Sequence, residues 1–389
     1  MSYRNLLLAV LAGCFIVSCQ NPSSENGELQ ELEFALIDSL VFDELEILNI
    51  LDYDHDKGLY LMVNKGMEGR YCLIDKKGNK IAENKLSEGP DSFGLVLHRG
   101  GFVGNEIIFI SDQTIFVYDL NLKPLRKYPF KQDPRVKLVH WSLDYLSTFT
   151  QNGKVMAIAN TSDSFLQPYP ADYYDTLNIV HLFDPSNGEI HKGGKLDKSS
   201  KLTHGRFYPF MDKPVYFSDA NSSYISAIFS GDSILYQLNP KNNFEVVNKI
   251  KLDRHSPDNI HDISMSEASF TTVKEHRPKN VTLGGMFANM LGMGDDFILE
   301  YKTGADPNLY NENADAEGRE AIAKSKKTYY YPIKDGRQIA HPVLWDKPGK
   351  LIFSVGKNKY LQYADQADIH EYEKEYQCYY IYELRAKGK

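Results

Sequence analysis

The densest run of titratable side chains is Asp52-Tyr53-Asp54-His55-Asp56-Lys57-Gly58, where carboxylates alternate around a histidine. Alternating residues of an extended segment point to one side, so these acids could chelate a hard cation. A calcium loop of the EF-hand type needs glycine at its sixth position and glutamate at its twelfth. Counted from Asp52, Gly58 is seventh and Val63 twelfth, so the pattern fails and an acidic turn between strands is expected. His255, His261 and His276 form a second concentration; imidazoles titrate near neutrality and can serve as bases or ligands. Here they lie among Arg, Asp and Glu in loop-like sequence, where solvated side chains need no role. No metal ligand set, and no cofactor, is assigned. There is no Gly-Xaa-Ser-Xaa-Gly elbow, Walker loop or dinucleotide fingerprint, so catalytic residues stay unassigned.

The amino terminus carries different chemistry. Arg4 is followed by an apolar run from Leu6 to Val17, too short to span a bilayer, which takes about 20 residues. It reads as the hydrophobic region of an export signal. Two segments end in cysteine after small residues, Leu11-Ala12-Gly13-Cys14 and Ile16-Val17-Ser18-Cys19. They resemble the lipobox of bacterial lipoproteins, in which the cysteine thiol takes a diacylglyceryl group and acyl chains anchor the mature protein. Cys19 is preferred, with Cys14 the alternative, because processing at Cys14 would leave Phe15-Ile16-Val17 on the mature chain. Residues 1–19 then form the signal, and residues 20–30, which open with Gln20-Asn21-Pro22-Ser23-Ser24, form a flexible tether. The resemblance implies lipid anchorage at a bacterial outer membrane, on its periplasmic or its outer side. Cys72 and Cys378 remain for the mature domain, in apolar strand contexts that suit buried free thiols.

The elements that must position any site are strands. Tyr and Phe number 26 and 20 against 2 Trp, a bias that favours β-structure. Lys+Arg 44 against Asp+Glu 52 gives a net charge of −8 without a basic stripe, which argues against a nucleic-acid partner. One signature recurs: a short apolar strand, a polar turn, then a second strand. Its turn centres, Lys77, Leu122, Ser186, Lys241 and Asp335, are separated by 45, 64, 55 and 94 residues. Propeller blades of four strands run about 40–50 residues, so the first three intervals fit one blade each with loop insertions. The last is two blades or one blade with an insert; the insert is favoured, at about residues 304–326, with a short helix near Ala314–Ala323. Blades are expected at 45–86, 95–130, 137–196, 205–252 and 262–343, with a sixth built from Lys350–Val355 and Cys378–Leu384.

That sixth unit is one strand short, and Glu31–Leu40 can supply it, closing the ring and covering an exposed edge. The expected fold is therefore all-β, a six-bladed β-propeller over residues 31–389 closed by an N-terminal strand, with seven blades the runner-up. Inner strands line a propeller's channel, which makes His140 and Trp141, and His204, Arg206 and Tyr208, at the starts of blades three and four, the candidate ligand contacts. Leu283–Gly294 is Gly- and Met-rich and low in charge. It reads either as a mobile apolar loop or as a segment packed over the propeller face. Leu86-Ser87-Glu88-Gly89-Pro90-Asp91-Ser92-Phe93-Gly94 resembles the Glu-Gly-Pro segment of six-bladed, TolB-like propeller lipoproteins of Bacteroidetes, many of them families without an assigned role. That resemblance supports the fold and transfers no catalytic residue. The functional expectation is a tethered, non-enzymatic module binding a glycan or a protein partner. The alternative is a hydrolase or lyase working on the channel face.

Overall fold

The recurring signature has a local cause. Asp75 Oδ1 accepts hydrogen bonds from the backbone N–H groups of Lys77 and Asn79, each at 2.8 Å. Asp119 does the same for Asn121 and Lys123, and Asp184 for Ser186, all at 2.8 Å. Asn239 accepts from Lys241 N–H at 3.0 Å. A short side chain that satisfies donors two residues ahead makes the chain turn wherever it follows an apolar strand. The fifth turn uses another device: Asp335 and Gly336 take φ of 48° and 70°, the left-handed pair of a two-residue hairpin. Each of these turns joins the third and fourth strands of one antiparallel sheet.

The computed structural model describes residues 29–42, 48–64, 70–85, 99–111, 114–129, 144–159, 172–255, 259–364, 369 and 376–388. They form a six-bladed β-propeller. Blade one is Leu48–Asp54, Leu59–Asn64, Arg70–Asp75 and Lys80–Lys85, in chain order from the axis outward. Blade two begins at Arg99 and ends at Pro129; the short strand Asp144–Tyr145 pairs in parallel with its inner edge. Blades three and four run over 148–193 and 214–251. Blade five comprises Met286–Met293, Asp296–Lys302, Thr328–Lys334 and Arg337–Gln338, with Val343–Trp345 also pairing to its third strand. Between its second and third strands stands the helix Ala316–Ser325, capped by the Asp315 carboxylate. Blade six is Lys350–Gly356, Lys359–Tyr363 and Gln377–Ala386, completed on the outside by the N-terminal strand Leu32–Phe42.

Burial follows position in the blade. A middle strand such as Glu106–Ile110 is buried at four consecutive positions, because neighbouring blades cover both faces of the sheet. The outer strand Glu245–Lys251 alternates exposed and half-buried residues. Among the described residues six apolar clusters form, each spanning two adjacent blades. The cluster that unites Phe353, Leu361 and Tyr379 of blade six with Met62 and Cys72 of blade one completes the circle. Cys72 and Cys378 are buried free thiols.

Two segments depart from the sequence reading. Leu283–Gly294 is neither a mobile loop nor a cover: Phe270–Leu283 is a helix, and Met286–Met293 is the innermost strand of blade five. Blades four and five begin later than expected, at Pro214 and Met286, because Arg206–Phe207 pairs with Ile263–Ser264 in a separate two-stranded ribbon and the helix precedes the fifth blade. The Glu-Gly-Pro segment and both lipobox cysteines lie outside the described residues.

Candidate functional site

The six inner strands all run the same way along the axis, so their first residues gather at one mouth and their last residues at the other. Three of them carry bulges, at Ile50/Asp52, Phe287/Asn289 and Leu351/Phe353. A bulge twists a strand and re-aims the side chains beside it. Asp52, Asn289 and Phe353 all line axial cavities, and Phe353 borders both of them.

The cavity at the starting mouth has a volume of about 400 Å³. Each blade places one polar side chain in its wall: Asn49, Arg99, Ser147, Lys213, Asn289 and Lys350. Glu300 and Lys302, from the second strand of blade five, join them, with Lys302 Nζ 3.2 Å from Glu300 Oε1. Arg99 is the most enclosed of the cations, only 6% exposed. Its guanidinium lies over the Tyr216 ring, 5.8 Å from the centroid, and among the described residues it donates no hydrogen bond to an acceptor. Tyr216 is itself committed, donating its hydroxyl to the Ile179 carbonyl at 2.5 Å. Burial holds that phenol far above its ordinary pKa, so it stays neutral.

Gly100 and Gly101 follow Arg99, and their lack of side chains is a packing requirement. A Cβ at Gly100 would stand 2.5 Å from the Phe109 ring, and one at Gly101 would stand 2.5 Å from Asp52 Oδ2. This close approach lets the Asp52 carboxylate bridge blades one and two, accepting from Phe102 N–H at 2.7 Å and Tyr53 N–H at 2.8 Å.

The opposite cavity, about 300 Å³, takes in Asp52, Asp54, His55, Asp56 and Asp219. Burial, reinforced by the Asp54 charge, pushes the Asp52 carboxyl up to about 7 against the two N–H bonds that favour ionisation. His55 is pushed below the ordinary imidazole range by its burial, and its ring packs edge-on against Tyr53. The remaining acids serve the loops. Asp54 pairs with Lys57 at 2.7 Å, and Asp219 accepts from Gly294 N–H at 2.7 Å and Asn221 N–H at 2.8 Å, clipping blade four to blade five. Among the described residues no three His, Cys, Asp or Glu side chains stand close enough to share a metal ion.

His204, Arg206 and Tyr208 occupy the ribbon ahead of blade four, and none of them lines either cavity. Arg206 is bound to Asp262 at 2.5 Å, and Tyr208 carries the Lys201 ammonium over its ring. His140 and Trp141 lie outside the described residues. His255 packs on Tyr329 at 4.0 Å, while His276 belongs to the helix Phe270–Leu283, so the three histidines do not converge. The polar residues of the starting mouth were missed because they are single residues far apart in sequence. Their one shared signal is position, each within three residues of the start of an inner strand.

Fold and site together define a six-bladed propeller with a polar, largely cationic cavity at one mouth of its axis. Among solved structures the chain is similar to a member of the DUF4221 family from Bacteroides vulgatus. The TM-score is 0.62 at 10% identity, covering 92% of this chain and 100% of that one. Lesser likenesses are to a protein of unknown function from Bacteroides caccae, with TM-score 0.39, 12% identity and 77% and 81% of the two chains. BamB from Moraxella catarrhalis gives TM-score 0.42, 11% identity and 90% and 100%. At these identities the likeness is one of fold. Neither a protein-family model nor a curated protein matches the sequence.

Proposed function

We propose that this chain is a lipid-anchored, TolB-like propeller of a bacterial outer membrane. Anchored through Cys19, it binds a glycan or a surface protein partner at the starting mouth of its channel without chemical turnover. The observation that carries the reading is the wall of that cavity, to which every one of the six blades contributes at least one polar side chain. Convergent polar groups in a concave site with aromatic surface nearby (Tyr216, Phe353 and Tyr363) suit recognition of a hydroxylated or amide-rich ligand. The lipobox, the polar stretch after Cys19 and a domain that begins with its own closing strand support the tether.

The test has two parts. Cells making the chain are labelled with palmitate, and a Cys19→Ser variant should lose both label and membrane association; label retained on that variant would refute anchorage at this residue. The released variant is then screened on glycan arrays and by pull-down, with Lys350→Ala and Asn289→Ala as cavity variants. Retention of one ligand that both substitutions weaken supports the reading, and binding indifferent to both refutes it. One observation favours catalysis instead: at the opposite mouth Asp52 titrates near 7 beside His55, the pKa range of a general base. Turnover of generic esters or glycosides that Asp52→Asn abolishes would establish that second reading.

A further inference from the structure

Given the binding role proposed above, we infer that the starting mouth is built around Arg99 as the anchor for a single carboxylate, carried on a saccharide of the uronic-acid class. A guanidinium keeps its charge at any physiological pH and offers five N–H donors in a planar fork. Enclosing such a group without an acceptor is costly, and natural cavities that do so are completed by solvent or a ligand. Arg99 is 6% exposed, donates to no described acceptor, lies over a neutral aromatic ring and lines the cavity.

The other cations of the wall make interactions of their own. Lys302 is matched by Glu300, and Lys213 and Lys350 each have a partner of their own. Among the described cations of the wall, Arg99 is the most enclosed and donates to no acceptor. A planar carboxylate fits the guanidinium fork through two parallel hydrogen bonds. Glu300, 2% exposed in the same wall, places one carboxyl group among these cations. Asn49, Asn289 and Ser147 supply donors and acceptors suited to sugar hydroxyls, and Glu300 adds an acceptor. A volume near 400 Å³ falls in the ordinary range for small-ligand sites and admits a short saccharide.

The test is calorimetric titration of the full chain, freed of lipid by Cys19→Ser, with galacturonic acid, an oligogalacturonate, and a neutral galactose oligomer of equal length. An acidic peptide and a sulfated oligosaccharide serve as further probes. Free and chain-borne uronate share the chemistry, and the monomer and oligomer arms tell them apart. The expected result is acidic-oligomer binding that Arg99→Gln weakens by about 100-fold, as for a lost charge-assisted pair, with Arg99→Lys intermediate. A thermal melt should show both variants folded, and neutral-oligomer binding should be weak and unchanged by either. Equal affinity for neutral and acidic oligomers, or acidic binding indifferent to Arg99, overturns the carboxylate anchor while the binding role stands. Preference for the sulfated probe or the peptide overturns the uronate assignment. No binding by any probe, with the cavity variants also silent in the pull-down, overturns both.

Discussion

Replacing Phe34 by alanine should weaken the whole ring, because this side chain fastens the N-terminal strand to two blades at once. Phe34 pairs with Leu384 across the outer edge of blade six. Its ring meets Tyr330 and Trp345 of blade five at 5.4 Å each and Tyr360 of blade six at 6.2 Å, all edge-to-face. A fully buried Phe→Ala change costs about 3–5 kcal/mol, and each aromatic pair contributes about 0.5–1.5 kcal/mol within such totals. Phe34 keeps partial exposure, so about 2–4 kcal/mol is expected for Phe34→Ala. Leu36 on the same strand is 55% exposed, and Leu36→Ala should cost less than about 0.5 kcal/mol. The assay is urea unfolding of both variants at matched m-value, so that midpoint differences report stability. Hydrogen exchange should show faster opening of Gln377–Ala386, the strand left as an edge when the first strand frays. Should Phe34→Ala unfold at the same midpoint as Leu36→Ala, the N-terminal strand would be an appendage, and the ring would close without it.

Asp52 makes a pH prediction whose sign follows from its raised pKa. The folded carboxyl titrates at about 7 and the unfolded one at 3.8, so between these values the folded state holds an extra proton. Stability should therefore fall as pH rises from 4 to 7 and level off above, by about 4 kcal/mol at most, with Asp52→Asn flattening the curve in a series of urea midpoints. Gly101→Ala would set a Cβ 2.5 Å from Asp52 Oδ2 and 2.9 Å from Leu146 Cβ, against groups that cannot easily retreat. It should cost about 1–3 kcal/mol by overpacking, and a midpoint matching the parent would refute this account of the glycine pair. Cys72 and Cys378 should resist thiol reagents until denaturant is added, and dithiothreitol should leave the melting temperature unchanged.

The blade count was legible because each turn is a local chemical event. Asp75, Asp119 and Asp184 bend the chain with donors two to four residues ahead, so the motif survives in sequence however the blades are arranged. The closing strand was legible by elimination, since Gln377–Ala386 would otherwise present a bare edge. Inner strands obey neither rule. Met286–Met293 is short of the branched residues that advertise a strand, and its form comes from pairing with Asp296–Lys302. Blade four could not be started correctly either, because the Arg206–Phe207 ribbon depends on a partner far along the chain at Ile263–Ser264.

The same physics explains why the candidate site escaped a motif-based reading. A propeller gathers its site from residues one blade apart, so Asn49, Arg99, Ser147, Lys213, Asn289 and Lys350 are neighbours around the axis but strangers in sequence. Their neighbours in the chain are chosen for packing between blades, as Gly100, Gly101, Val215 and Leu351 show. A substitution at Asn49, Lys213, Asn289 or Lys350 changes a single point of the cavity wall, whereas Arg99 and Ser147 also touch Tyr216 of blade four. Ligand preference in such a ring can therefore drift one blade at a time, while the turn aspartates and the closing strand hold the frame constant.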